Sequence, residues 1–277
     1  MRWKPFFTPV PAVSPDKAAE MIAAQDERDL ILLDCRQPGE YEQGHIAGAV
    51  LFPLAELADR ASELDPQKPV ICYCGMGARS RLAAQLLAGK GFQEVYNLSG
   101  GYEAWHGRRA FGDPERGLGL FPTEQPLEDS LIVAYGMEEA LREFYAERAH
   151  AVDSDEVAAL FDRLAEVEQT HRESIHLRYR EATGEQIDEE TFASKVVEPR
   201  LEGGMTVSEY MALFQPDWNA PQEVIELAMT IEAQALDLYL RAARRAGNPE
   251  TALNLSEIAH EEKAHLEQLG ALIDPSD

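Results

Sequence analysis

The chain has 277 residues, of which 45% are hydrophobic and 27% charged, and these values are typical of proteins that bury sizeable cores. Its formal net charge is −25. Residues 1–121 carry 13 basic and 16 acidic side chains, whereas residues 122–277 carry 12 and 34. This imbalance predicts two domains, and the lack of a basic surface argues against nucleic acid and anionic membranes as partners.

The N-terminal half alternates between helix and strand patterns. A helix is predicted over residues 15–22, where a Ser-Pro pair precedes helical spacing. Short apolar runs at Leu30–Asp34, Val70–Tyr73 and Val95–Leu98 are typical of strands that are buried on both faces. A further helix is predicted at Ser80–Leu87. The alternation predicts a small α/β domain, a parallel sheet flanked by helices.

A six-residue loop from Cys74 to Arg79 connects the second predicted strand to the following helix. Gly75 and Gly77 allow backbone N–H groups to point at the Cys74 sulfur, and the helix N-terminus directs its positive dipole end at the same place. Arg79 adds a cation. Such a setting lowers a thiol pKa and stabilises a thiolate or persulfide anion, so a reactive Cys74 is favoured over a buried structural cysteine.

Three motifs in this half resemble those of the rhodanese sulfurtransferases, over about residues 10–110. They are Asp34-Cys35-Arg36 followed by Glu40 to Ala49, the loop from Cys74 to Arg79, and Leu98 to Trp105. The resemblance implies that Cys74 is the nucleophile that carries sulfane sulfur as a persulfide, and that Arg79 helps to hold the anion. The remaining residues of the implied substrate-binding loop are Gly75, Met76, Gly77, Ala78 and Ser80.

The resemblance also implies a thiosulfate or persulfide donor and a thiol acceptor. Related phosphatases use a longer, seven-residue loop, so the shorter loop indicates sulfur transfer. His45 is expected to have a structural role. Cys35 is expected to be a small buried hydrophobe, and Cys72, which could resolve a persulfide, is favoured as a buried strand residue.

The cellular compartment is predicted from the cysteines and from the start of the chain. Three cysteines confined to the first half make a poor disulfide framework. Residues 1–7 lack the apolar pattern of a signal peptide. Both observations predict a cytoplasmic protein.

A stretch rich in glycine and proline, between residues 107 and 129, separates this half from a helical one. The predicted limits are a first domain at 1–110, a linker at 111–127 and a second domain at 128–277. Apolar spacing of three and four residues predicts four helices in the second domain, with shorter helical pieces between the second and third. The long helices are Ile132–Val152, Asp155–Glu181, Glu223–Ala246 and Pro249–Leu272, and the short ones Glu189–Val197 and Val207–Phe214.

Two helical hairpins of this domain are related by a constant offset of 94 residues. The repeated pairs are Glu138 and Glu232, Tyr145 and Tyr239, Glu168 and Glu262, and His171 and His265. A Glu and a His three positions apart share one helix face, so each of two helices can offer a carboxylate and an imidazole to one point. With one Glu from each of the other two helices, the bundle offers four carboxylates and two imidazoles. A single such motif is commonly a solvated surface, but two in register favour a site for two iron or manganese ions.

This half resembles the rubrerythrin branch of the ferritin-like four-helix bundles, over about residues 128–272, which implies a di-iron centre. Ala235 stands where that family carries a further Glu, which argues against a peroxidase-type movement of iron between ligands. No cysteine follows Cys74, so a rubredoxin-type electron-transfer site is lacking. Tyr145 and Tyr239 could equally hydrogen-bond the carboxylates or serve as core aromatics. Three residues beside the motif break the repeat symmetry, and they are expected to lie around the ligands or on the surface. They are Glu166, His260 and Glu261.

Taken together, these patterns predict a fusion of a sulfurtransferase with a di-iron bundle that has an oxidase- or peroxidase-type role. One alternative is an iron-binding sensor or carrier, with the rhodanese module as sulfur relay or docking domain. Another is a metal-free bundle that serves as a dimerisation platform. A homodimer formed through the bundle is expected.

Overall fold

The structure, a computed structural model, describes residues 9–24, 29–197 and 200–273, so the expectation for residues 1–7 lies outside it. The chain divides into two compact units, Met1–Pro114 and Glu115–Asp277. The second unit thereby includes part of the segment predicted as a linker, and the predicted domain limits stay a prediction. Within the described ranges, none of the helices has the length and apolar character needed to cross a membrane.

The first unit is built on a five-stranded parallel sheet. The strands of this unit are β1 (Ala12–Val13), β2 (Ile31–Asp34), β3 (His45–Ile46), β4 (Val50–Leu51), β5 (Val70–Tyr73), β6 (Val95–Leu98) and β7 (Arg109–Ala110). The sheet has the order β1-β6-β5-β2-β4, and β3 pairs with β7 in a separate antiparallel ribbon. The three strands predicted from apolar runs are confirmed. The other four have only two residues each, which is too short for a periodic pattern.

Helices cover the sheet of the first unit. They are α1 (Pro15–Ala24), α2 (Pro38–Gln43), α3 (Leu57–Arg60) and α4 (Ala78–Gly89). All four residues of β5 are buried, as predicted for a strand covered on both faces. Alternate residues face opposite sides, because Cys72 belongs to one buried cluster while Ile71 and Tyr73 belong to the other. The carboxyl end of this central strand leads directly into the loop that begins at Cys74.

The second unit is helical. Its helices are α5 (Leu127–Ala151), α6 (Asp155–Thr183), α7 (Glu189–Ala193), α8 (Val207–Leu213), α9 (Pro221–Arg245) and α10 (Pro249–Ile273). The four long helices are confirmed, although α5 begins five residues earlier than predicted. The first short piece ends at Ala193 rather than Val197. Helix α5 packs on α6 and α9 packs on α10, which gives the two predicted hairpins.

Helix α9 is the most buried element of this unit. Every residue from Ile231 to Leu240 is buried, as expected for a helix that is surrounded by its neighbours. Its acidic residues in this range therefore lie inside the bundle. Phe121, from the segment predicted as a linker, packs edge-on against Tyr239, with ring centroids 5.9 Å apart.

Candidate functional site

Cys74 lies at the carboxyl end of β5, immediately before the loop that enters α4. Its sulfur accepts a hydrogen bond from the Gly77 N–H at 3.1 Å, and the Ser80 hydroxyl lies 3.5 Å away. Gly77 has φ +94°, a left-handed conformation that disfavours side chains, and this conformation positions its N–H. The Ser80 hydroxyl also donates to Asn97 Oδ1 at 2.6 Å. The loop thus surrounds the sulfur with donors.

These donors change the acidity of Cys74. Hydrogen bonds from the Cys35 thiol, from Ser80 and from the Gly77 N–H outweigh burial and lower the pKa of Cys74 to about 4. Cys74 is therefore a thiolate at neutral pH, which is the nucleophilic form of cysteine. The predicted anion-stabilising character of the loop agrees with this geometry.

Arg79 is held beside the loop by Glu40. Its guanidinium donates to both carboxylate oxygens of Glu40, at 2.6 and 2.7 Å, and this pairing lowers the pKa of Glu40 to about 2. Glu40 is itself fixed at the start of α2, where it accepts a hydrogen bond from the Gln37 N–H. Glu40 belongs to the motif that runs to Ala49, and its pairing with Arg79 is visible only in the structure. Met76, at the loop apex, is 73% exposed.

The motif from Leu98 to Trp105 clamps the loop backbone. The N–H groups of Tyr102 and Glu103 donate to the carbonyls of Cys74 and Gly75, at 2.7 and 3.1 Å. Gly101 has φ +60°, and a Cβ there would lie 2.1 Å from the Cys74 carbonyl oxygen, so only glycine fits. This close approach explains the glycine at position 101 of the motif.

His45 and Cys72 do not line this loop. The His45 ring stacks on Tyr41, with ring centroids 3.6 Å apart, and its Nδ1 lies 3.0 Å from the Tyr41 carbonyl oxygen. Cys72 is completely buried in β5, and burial raises its pKa above the ordinary value. The contacts of both residues agree with the structural roles expected for them.

The six residues predicted as metal ligands come together inside the bundle, and all six are buried. They are Glu138 on α5, Glu168 and His171 on α6, Glu232 on α9, and Glu262 and His265 on α10. Their ligand atoms form three overlapping groups of three, each within 4.8 Å.

Both imidazoles face carboxylates of this cluster. His171 Nδ1 lies 3.4 Å from Glu138 Oε2, and His265 Nδ1 lies 3.6 Å from Glu232 Oε2. The two imidazole rings are 4.3 Å apart between centroids. Burial lowers the pKa of His171, but Glu138 together with the charges of Glu232 and Glu261 outweighs it and raises that pKa to about 9.

The cluster fits divalent cations. Within the described part of the chain, both carboxylate oxygens of Glu138, Glu168 and Glu232 receive no hydrogen bond. Burial and the negative charges of Glu232 and Glu138 raise the pKa of Glu168 well above its usual range. Burying acidic groups without donors is costly unless cations compensate them. Oxygen and imidazole ligands suit iron or manganese.

The residues around the cluster make other contacts. Tyr239 Oη lies 3.7 Å from the Met137 sulfur, and the Tyr145 ring packs against Phe144 and Phe161. These contacts place both tyrosines among core aromatics, and hydrogen bonds to the carboxylates stay a prediction. Glu261 forms an ion pair with Arg178 at 2.7 Å, whereas Glu166 and His260 are exposed.

The fold and the two sites define the class of this protein. It joins a rhodanese-like α/β domain, with a cysteine loop, to a helical bundle with buried carboxylates. Residues 14–108 match the family described as "Rhodanese-like domain", and residues 129–273 match the family described as "Rubrerythrin". The second match covers more than half of the chain. The chain belongs to the rubrerythrin family and carries a rhodanese-like domain before its bundle.

Known relatives align with the first domain. The thiosulfate sulfurtransferase GlpE of Coxiella burnetii (strain RSA 331 / Henzerling II) is 38% identical over 90 residues, which are 32% of this chain and 84% of GlpE. The uncharacterized protein YqhL of Bacillus subtilis (strain 168) is 47% identical over 77 residues, 28% of this chain. The chain spans 61% of the length of YqhL. A solved "rhodanese with anions" from E. coli is 32% identical, with TM-score 0.28, and the match covers 30% of this chain and 99% of that one.

Proposed function

We propose that this protein is a rhodanese-type sulfurtransferase in which Cys74 carries sulfane sulfur as a persulfide, and that its bundle holds a di-iron centre with an oxidase- or peroxidase-type role. The observation that carries the first half is the Cys74 sulfur at the N-terminal end of α4, with Gly77 and Ser80 as donors and a pKa of about 4. The name of the Coxiella relative supports thiosulfate as a donor.

The reaction follows from nucleophilic attack by Cys74. The thiolate attacks the outer sulfur of thiosulfate, the S–S bond of the donor breaks, and sulfite leaves with the bonding electrons. The Gly77 N–H and the Ser80 hydroxyl, which face the thiolate, then donate to the persulfide. Arg79, oriented by Glu40, attracts the anionic donor to the loop. An acceptor thiolate takes the outer sulfur and regenerates the Cys74 thiolate.

Transfer of sulfur from thiosulfate to cyanide tests this half of the proposal. Cys74→Ser removes the nucleophile, so we expect thiocyanate formation to fall by more than about 1,000-fold. Cys72→Ser is the matched control, because it changes a buried cysteine of the same region that does not face the loop, and it should retain activity. Sulfur transfer by the Cys74→Ser protein would contradict the proposal.

In the bundle, Glu138, Glu168 and His171 from one hairpin would hold the metal ions together with the corresponding residues of the other, Glu232, Glu262 and His265. When bound, iron supplies one-electron chemistry toward dioxygen or peroxide. The protein excludes bulk water from the cluster, since all six side chains are buried. Manganese fits the same ligands. The expected cytoplasmic location and the homodimer stay predictions.

Repeated addition of peroxide, and separately of dioxygen, to the iron-loaded protein with an excess of an electron donor tests the redox role. Consumption of either oxidant that continues over many additions supports an oxidoreductase. A single stoichiometric spectral change, without turnover, supports the alternative of a sensor or carrier and contradicts an enzymatic role for the bundle.

A further inference from the structure

Cys35 and Cys74 occupy equivalent places at the carboxyl ends of two adjacent strands. Strands β2 and β5 pair in parallel with Asp34 opposite Tyr73. The Cys35 N–H donates to the Tyr73 carbonyl at 3.0 Å, so the pairing continues beyond the last strand residue. One further step in this register sets Cys35 beside Cys74. Neighbouring strands lie about 4.8 Å apart, and this spacing falls within the Cα separation that a disulfide requires.

The two side chains also project from the same face of the sheet. Cys35 and Cys74 belong to one buried cluster, together with the register pair Leu33 and Cys72. The Cys35 thiol donates to the Tyr73 carbonyl oxygen at 3.0 Å, and it lies close enough to the Cys74 sulfur to lower the pKa of Cys74. The inner sulfur of a Cys74 persulfide would therefore lie beside a second thiol.

We propose that Cys35 is a second catalytic residue, which attacks the Cys74 sulfur of the persulfide, expels the sulfane sulfur as hydrosulfide and leaves a Cys35–Cys74 disulfide. This inference rests on the proposed sulfurtransferase function, because it begins from the persulfide. It adds a reductive activity, the release of sulfide, to sulfur transfer. The two outcomes differ in the sulfur that is attacked, since an acceptor thiol takes the outer atom.

The step balances in atoms and electrons. A bond forms between the sulfurs of Cys35 and Cys74, while the bond between Cys74 and the sulfane sulfur breaks, and its electron pair leaves with the sulfane sulfur. The thiol proton of Cys35 ends on that leaving sulfur. With thiosulfate as donor, one thiosulfate, one Cys74 thiolate and one Cys35 thiol give sulfite, hydrosulfide and one disulfide. The two cysteines are oxidised and the sulfane sulfur is reduced. A dithiol reductant restores the pair.

In the resting protein the interaction with the Cys74 sulfur and burial raise the pKa of Cys35 above the ordinary value, so this thiol is protonated. Because the thiolate is the nucleophilic form, Cys35 must pass its proton to the leaving sulfane sulfur as it attacks. Cys72 lies two register pairs earlier, opposite Leu33, and further from the loop. It therefore provides a control cysteine of equal burial.

The test uses the full-length protein under anaerobic conditions, with thiosulfate and without any thiol reductant. Sulfite, sulfide and the intact protein mass are measured for the wild type, Cys35→Ser and Cys72→Ser. We expect the wild type and Cys72→Ser to release about one sulfite and about one sulfide per chain, with the disulfide as product. Cys35→Ser should release sulfite but keep the sulfur as a persulfide, with sulfide release at least about tenfold lower.

The outcomes separate this inference from the function on which it rests. Sulfite release by the wild type with a persistent persulfide would leave the sulfurtransferase in place and overturn the role of Cys35. Equal sulfide release by Cys35→Ser would do the same. Absence of sulfite from the wild type would contradict the sulfurtransferase itself and, with it, this step. Peptide mapping of the wild type needs no variant, and it must find Cys35 linked to Cys74 rather than to Cys72.

Discussion

The two domains stabilise buried negative charge by opposite means. The loop of the first domain surrounds one sulfur with hydrogen-bond donors, so groups of the chain itself stabilise the Cys74 anion. The bundle instead collects acidic groups whose oxygens lack donors within the described residues, as at Glu138 and Glu232. A site made of donors prepares a nucleophile, whereas a site made of acceptors requires cations. The contrast explains how one chain can combine sulfur chemistry with metal chemistry.

The distribution of charge follows the same division. The first half, up to residue 121, is nearly neutral, with 13 basic and 16 acidic side chains. This balance suits a loop that admits anionic sulfur donors. Most of the acidic excess of the second half lies on solvated helix surfaces, but four of its carboxylates are buried at one point.

The largest predicted effect concerns metal binding, when carboxylates are removed from the bundle. Replacing both Glu168 and Glu262 with Gln should lower the metal content from about two ions per chain to less than about one. Metal should then no longer raise the unfolding temperature, whereas in the wild type it should add about 4 kcal/mol at a concentration 1,000 times the dissociation constant. Elemental analysis and thermal melts, with and without metal, measure both effects.

Glu166→Gln is the matched control for this prediction. It removes an exposed carboxylate from the same helix, and metal binding should be unchanged. Unchanged metal content in the double variant would indicate that the cluster is not the site, and would favour a bundle that serves only for dimerisation.

The next largest predicted effect concerns the rate of sulfur transfer, when the Arg79 cation beside the loop is removed. Arg79→Ala should lower kcat/KM for thiosulfate about 10- to 100-fold, since hydrogen bonds to charged groups contribute about 1.5–3 kcal/mol. Arg79→Lys should recover only part of this loss, because lysine lacks the two-pronged geometry that pairs with Glu40. Steady-state kinetics measure both variants. Arg81→Ala, which changes an exposed residue of the same helix, should have no effect, and an equal loss there would refute a specific role for Arg79.

The donors around Cys74 should produce a measurable pH dependence. The folded-state pKa of about 4 means that the thiolate is lost only as the pH falls through about 4. Sulfite release from thiosulfate in single turnovers should therefore be constant from neutral pH down to about 5. Ser80→Ala removes a donor, so the pKa should rise by about one unit, equivalent to about 1.4 kcal/mol.

Ultraviolet thiolate absorbance, measured against Cys74→Ser, follows this titration directly. Ser99→Ala is the control, because it changes an exposed serine side chain within the motif from Leu98 to Trp105 and should leave the titration in place. An unshifted titration in Ser80→Ala would show that the hydroxyl does not stabilise the thiolate.

The smallest predicted effect concerns the stability of α6. The Ser154 side chain accepts a hydrogen bond from the Val157 N–H at the start of this helix. Ser154→Ala should lower the free energy of unfolding by about 1 kcal/mol, measured by urea denaturation of the protein. Ser208→Ala, at an exposed position within α8, should change it by less than about 0.5 kcal/mol. Equal effects of the two variants would contradict the capping role.

Much of the candidate chemistry could be predicted from short stretches of sequence. The loop from Cys74 to Arg79 is contiguous, so its glycines, its cation and the following helix are visible as one pattern. The spacing of Glu168 and His171 places both on one helix face, and the constant offset to Glu262 indicated a second copy of the same arrangement. The four long helices are confirmed because their apolar periodicity extends over many turns.

The pairings that could not be predicted from the sequence join residues that are distant in the chain. Glu40 and Arg79 are 39 positions apart, and their pairing depends on how α2 lies beside the loop. Cys35 is similarly distant from Cys74, and the expectation that it is merely a small hydrophobe took no account of this neighbour. The available signal was that two predicted strands are each followed by a cysteine. This signal can be interpreted only once the two strands are known to be adjacent.

The sequence by itself therefore determined the nature of each reactive group, because a helix period and a six-residue loop are local properties of the backbone. Only the tertiary structure decided which groups meet. The strand order β1-β6-β5-β2-β4 and the register of β2 on β5 bring Cys35 to Cys74. The packing of two hairpins brings four carboxylates to one point. Register and packing depend on the burial of whole faces, which the spacing of a few residues does not encode.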